Sequence, residues 1–136
     1  MDEKQSIIIG NYSSWVRAIA FNNDDTRFAV AKDDGKLIIL KKSDQWENSL
    51  ISSEIKTGID WITSIDYDLR DPLCLATATL SGKIVIMTKL GQYNYKMKAI
   101  VNQIKFIPRS DNYLYLAVAT NGKGLQILSA VKMKFE

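Results

Sequence analysis

Apolar residues recur at every second position along most of the chain, in runs separated by short polar segments. Ile19 with Phe21, Phe28 with Val30, and Leu37 with Ile39 keep this beat. A period of two places alternate side chains on opposite faces of an extended backbone, so each run predicts a β-strand. Between the runs lie NNDDTR at 22–27 and KDDGK at 32–36. Both read as hairpin turns, the second because Asp34-Gly35 supplies a position of positive φ. No stretch carries the apolar stripe of a helix.

The pattern is then written twice more. Ile62, Ile65, Tyr67, Leu73, Leu75, Gly82, Ile84 and Ile86 repeat Val16, Ile19, Phe21, Phe28, Val30, Gly35, Leu37 and Ile39 at an offset of about 46 residues. Val101, Ile104, Phe106, Leu114, Leu116, Leu125 and Ile127 repeat it after roughly another 40. Trp15 and Trp61 each stand directly before the first strand of a unit. Repetition at this spacing is that of the blades of a β-propeller. The expected units lie near 12–55, 58–100 and 101–136, each with strands a to d.

In the first unit the strands are expected over Val16 to Phe21, Phe28 to Ala31, Leu37 to Lys41 and Leu50 to Ile55. The second unit gives Ile62 to Tyr67, Leu73 to Thr77, Ile84 to Thr88 and Tyr95 to Ile100. The third gives Val101 to Phe106, Tyr113 to Ala119, Leu125 to Ser129 and Val131 to Phe135. Ile7 to Ile9, within 5–10, reads as the outer strand of an adjoining blade.

These residues resemble the WD40 repeat family over nearly the whole chain. WVRAIAF at 15–21 and WITSIDY at 61–67 are similar to that family's first strand, and DDGKLIIL at 33–40, SGKIVIM at 81–87 and NGKGLQIL at 121–128 to its third. The chain departs from the family in having no Gly-His pair, and Leu40, Met87 and Leu128 stand where the closing Trp would be. The family's buried Asp-His-Ser/Thr-Trp network therefore has no counterpart, and apolar packing must hold each blade. The resemblance implies an all-β fold of about three four-stranded propeller blades. Propellers close with four to eight blades, so a ring is expected only with another chain. Two copies would make a six-bladed homodimer; the alternatives are that the chain is a fragment of a longer propeller, or that it docks onto an incomplete propeller of another subunit.

Composition narrows the chemistry. The 136 residues contain no histidine and one cysteine, which excludes histidine-dependent triads, an internal disulfide and multi-cysteine metal sites. A net charge of +3 and short apolar runs give no sign of membrane insertion, and the expected compartment is the cytoplasm, with the nucleus as alternative. Cys74, between Leu73 and Leu75, reads as a buried thiol inside a strand. Asp66 and Asp68 read as carboxylates of a solvated strand end. No cofactor is expected, and an enzyme with a pocket at the propeller mouth is a minor alternative to a protein-binding scaffold. For protein binding the candidates are Trp15, Arg17, Trp46, Trp61 and Thr63, since Trp and Arg are typical interface anchors. A nucleic-acid-associated module is the other alternative. Residues 89–136 carry eight basic and two acidic side chains, against ten and thirteen before them. Lys96, Lys98, Lys105 and Arg109, interleaved with Tyr93 and Tyr95, would neutralise phosphates and stack bases.

Overall fold

A computed structural model describes residue 6 and residues 14–45, 49–58, 60–71, 73–108 and 113–132. The chain forms three antiparallel sheets in sequence order. The first contains β1 (Val16–Phe21), β2 (Arg27–Lys32), β3 (Lys36–Lys41) and β4 (Leu50–Lys56). The second contains β5 (Ile62–Tyr67), β6 (Leu75–Thr79), β7 (Lys83–Thr88) and β8 (Gly91–Lys96). The third has β9 (Ile100–Phe106), β10 (Tyr113–Asn121) and β11 (Leu125–Lys132). Each sheet is an up-and-down meander, and β5 lies against both β1 and β9, so the first strands of the three units are neighbours. Among the described residues there is no helix long and apolar enough to cross a membrane.

Two apolar layers join the sheets. Ala18, Ala20, Ala29, Ala31 and Leu37 meet Ile62, Ile65, Tyr67 and Leu75 between the first and second sheets. Four small alanines on one side let the facing sheet approach closely. Between the second and third sheets, Ala76, Ala78, Ile84 and Ile86 pack on Val101, Ile104, Phe106, Leu114, Leu116 and Val118. A middle strand with neighbours on both faces loses the polar alternation, and β6, LATAT, is buried at all five positions.

The turns repeat as the strands do. Asn22 closes the first by accepting from the Thr26 and Arg27 amides through Oδ1, and Asp25 takes a φ of 61° there. Gly35 and Gly82 occupy matched turns at φ of 81° and 95°. Their carbonyls accept from the amides of Thr57 and Met97 at 2.9 and 2.8 Å, where the chain leaves each fourth strand. A Cβ at Gly35 would stand 2.2 Å from the Gly58 carbonyl oxygen, and one at Gly82 2.5 Å from that of Met97, so both places require glycine for space as well as for φ.

Three strand expectations are corrected. The second unit's b strand starts at Leu75 rather than Leu73, because Leu73 stands in a turn and the Cys74 amide donates to the Asp71 carbonyl instead of to a ladder partner. Its d strand is Gly91–Lys96 rather than Tyr95 to Ile100, since Thr88 pairs directly with Gly91 across a two-residue turn, and Ile100 belongs to β9. In the third unit, Val131 does not begin a new strand, and residues 133–135 of that expected strand lie outside the described residues. β11 runs on through Lys132, with Leu114 paired to Val131 and Tyr115 to Ser129. The third sheet is thus three-stranded among the described residues. Ile7 to Ile9 lies outside them.

Candidate protein-binding surface

The inner strands share one irregularity. Val16 pairs with Lys32 and Ala18 with Ala31, leaving Arg17 as an extra residue in β1; Thr63 in β5 and Asn102 in β9 are extra in the same way. Such a bulge re-aims the side chain that it carries. In β1 the result is a stack. The Arg17 guanidinium carbon lies 4.9 Å from the Trp15 ring centroid and 4.2 Å from that of Trp61, both within cation–π range.

Each indole is held by its backbone. The Trp15 amide donates to Asp33 Oδ1 and the Asp33 amide donates to the Trp15 carbonyl, at 3.2 and 3.0 Å. The Trp61 amide donates to Asp60 Oδ1 at 3.0 Å, the Leu80 amide donates to the Trp61 carbonyl at 2.9 Å, and Asp60 Oδ2 accepts from the Ser81 amide at 2.6 Å. Burial pushes the Asp60 carboxyl up, but the Ser81 hydroxyl and the amide donors outweigh it and hold it below the usual carboxylate range. Asp34 is lowered too: burial opposes, while the Lys36 amide, Lys32 and the Ser14 hydroxyl prevail. These carboxylates are therefore anionic anchors at neutral pH. The rings remain open, with Trp15 69% and Trp61 44% exposed.

Not every candidate joins this stack. Thr63 turns its hydroxyl back onto its own sheet, donating to the Ala78 carbonyl at 3.2 Å. Trp46 and Arg109 lie outside the described residues. Tyr93 and Tyr95 on β8 are half-buried against the core between the second and third sheets. Lys96 donates to the Ser81 carbonyl, Lys98 is exposed beyond the end of β8, and Lys105 on β9 lies 3.8 Å from Asp66. The basic residues are thus distributed over the outermost and innermost strands of different sheets.

Of the two aspartates read as solvated, Asp66 near the end of β5 is half-buried and Asp68 just beyond it is buried. Asp66 Oδ2 accepts from the Phe106 amide at 2.8 Å, and Ser64 Oγ accepts from the Ile104 amide at 3.1 Å. Both bonds cross from β5 to the next sheet. Asp68 is buried beside Arg70, 3.5 Å away. Burial raises both carboxyls, against the Phe106 amide and Lys105 at Asp66 and against Arg70 at Asp68. Cys74 is buried as expected, though in the turn before β6 rather than within a strand; burial, then Asp68 and Asp71, push its thiol up to about 12. Among the described residues no group of three or more His, Cys, Asp or Glu is placed to hold a metal ion.

A three-blade chain is expected to leave two apolar blade faces exposed, but the sequence did not single out which residues of the end sheets line them. On the first sheet, Ile19 and Phe21 share a face with Phe28, Val30, Ile38 and Leu40. Its middle is buried, whereas Ile19 is 61% exposed and Phe21 and Ile51 are also open. On the third sheet, Leu125 and Ile127, opposite Ala119 and Ala117, are 71% and 52% exposed, and Tyr113 is open as well. Beyond β11 no further strand pairs among the described residues.

No family model and no curated protein matches the sequence. Among solved structures, the chain is similar to the β-propeller domain of Cps50 (Swd1) from Myceliophteria thermophila, with a TM-score of 0.73 and 15% identity. The match covers 90% of this chain and 36% of that one. The chain thus spans about a third of the length of that structure, and its three antiparallel sheets are those of a partial, unclosed propeller-like fold.

Proposed function

We propose that the chain is a WD40-like protein-interaction module whose blades are completed by a second chain, and that a second copy of itself is the completing partner. The observation that carries this reading is the set of apolar side chains left exposed on the outer faces of both end sheets. Ile19 and Phe21 are exposed along one edge of the first sheet and Ile51 along its other edge, with a buried middle between them, and Tyr113, Leu125 and Ile127 are exposed on the third; exposed apolar surface of this kind marks an interaction site. Internal repetition supports the mode of contact. The first sheet's inner face packs on the second sheet, and the second packs likewise on the third. The same step applied once more would lay the third sheet of one copy on the first sheet of the other. Two such steps close six blades, and the Trp15–Arg17–Trp61 stack would remain free as an anchor for a further protein.

Glutamate at Ile19 or at Leu125 tests the reading, because either charge would be buried in the contact between copies. Each single variant is expected to lower the native mass from dimer to monomer at micromolar concentration in sedimentation velocity, while circular dichroism stays β-like. Dimers unaffected by both substitutions would place the contact elsewhere.

A further inference from the structure

Between the first and second sheets, away from the Trp–Arg stack, lies a cavity of about 250 Å³. Its walls include Ile39, Ile55, Leu75 and Met87, and its polar side includes Tyr67 and Arg27. Three features give it a chemical character. The walls are apolar, contributed by strands of both sheets. Tyr67 is 5% exposed, and its hydroxyl is buried without a hydrogen-bond partner among the described residues. Among the described residues Arg27 is the only charged one lining the cavity, and it is close enough to act electrostatically on that hydroxyl.

A buried phenol normally finds an acceptor, and an unfilled donor beside a guanidinium selects an anion that accepts hydrogen bonds. Burial holds the Tyr67 pKa up at about 12, against a smaller pull from Arg27, so the phenol keeps its proton throughout the neutral range and can donate. The volume falls below the roughly 300–1,000 Å³ of drug-sized sites, which favours a small ligand over a nucleotide. We propose that this cavity binds a small organic acid, its apolar tail against Ile39, Ile55, Leu75 and Met87 and its carboxylate accepting from the Tyr67 hydroxyl and the Arg27 guanidinium. The site is built within one chain and is independent of how the ring is closed.

Hexanoate is the probe, titrated into the full chain by calorimetry and ligand-observed NMR, with hexanamide and hexylammonium as neutral and cationic analogues. Saturable hexanoate binding is expected, at least about tenfold weaker for hexanamide and absent for hexylammonium, because a hydrogen bond to a charged group is worth more than one between neutral groups. Tyr67→Phe removes one oxygen and leaves the packing, and is expected to weaken hexanoate about tenfold; Arg27→Gln should do so independently. N-acetyl-leucine, a mimic of a peptide C-terminus, separates the sources of the carboxylate. Tighter binding than hexanoate would assign the site to a chain end, and weaker binding to a free acid. No saturable hexanoate binding, equal binding of hexylammonium, or affinity unchanged in both variants would overturn the proposal.

Discussion

Ser64 and Asp66 show how single polar side chains join blades here. Both stand on β5, and each accepts an amide hydrogen from β9 in the next sheet. The matched residues in β1 are Ala18 and Ala20, which have no acceptor to offer β5, so the first junction is apolar where the second is hydrogen-bonded. Asp66→Ala leaves the Phe106 amide without its acceptor and is expected to cost about 1–3 kcal/mol in chemical denaturation. Asp66→Asn keeps an acceptor oxygen and should cost less. Its pH behaviour is the sharper test. Because burial raises the Asp66 pKa, the folded state holds the proton more tightly than the unfolded state, so this contribution is full below the ordinary value of about 3.9 and is lost as pH rises through the folded pKa. Wild type should therefore gain stability relative to Asp66→Asn as pH falls through that window. A difference constant with pH would contradict it. At Thr77, fully buried with a hydroxyl unpaired among the described residues, Thr77→Val is expected to be neutral or to stabilise by up to about 1 kcal/mol; a clear loss in the same denaturation assay would reveal a partner for that hydroxyl.

At the scale of elements, the repeat extends to irregularities. Arg17, Thr63 and Asn102 bulge at one position of three inner strands, and Gly35 and Gly82 receive the outgoing chain in the same way. Gly82→Ala combines a φ of 95° with a Cβ 2.5 Å from a carbonyl oxygen, and should lower stability by about 2 kcal/mol or more, read as an earlier thermal transition. A transition within one degree of wild type would show that the turn can relax. The a, b and c strands were legible because apolar period two and Asp-Gly or Ser-Gly turns coincide there. β8 was not, since GQYNYK has no apolar run to mark it and its start is set by the Thr88 turn. Nor did anything signal that Val131 would continue β11, because a single bulge absorbs Ala130 without a turn. Trp15 and Trp61 were paired by their spacing, but that Arg17 lies between them depends on the β1 bulge and the packing of two sheets. The Ser64 and Asp66 bonds were illegible for a related reason: their partners are backbone amides 40 residues away, which carry no side-chain signature.

At the largest scale, the described residues form three sheets in sequence order whose two outer faces are unlike, one bearing Ile19 and Phe21 and the other Leu125 and Ile127. In the proposed assembly these unlike faces meet head to tail, a contact that closes into a ring if the rotation between copies closes and continues as a filament if it does not; six blades would fall within the range in which propellers close. The most direct test is the native mass of the purified wild-type chain by light scattering over a wide concentration range. The account predicts a constant mass of twice 15.4 kDa, with no larger species as concentration rises. A mass of 15.4 kDa throughout, or one that climbs without a plateau, would contradict closure by a second copy.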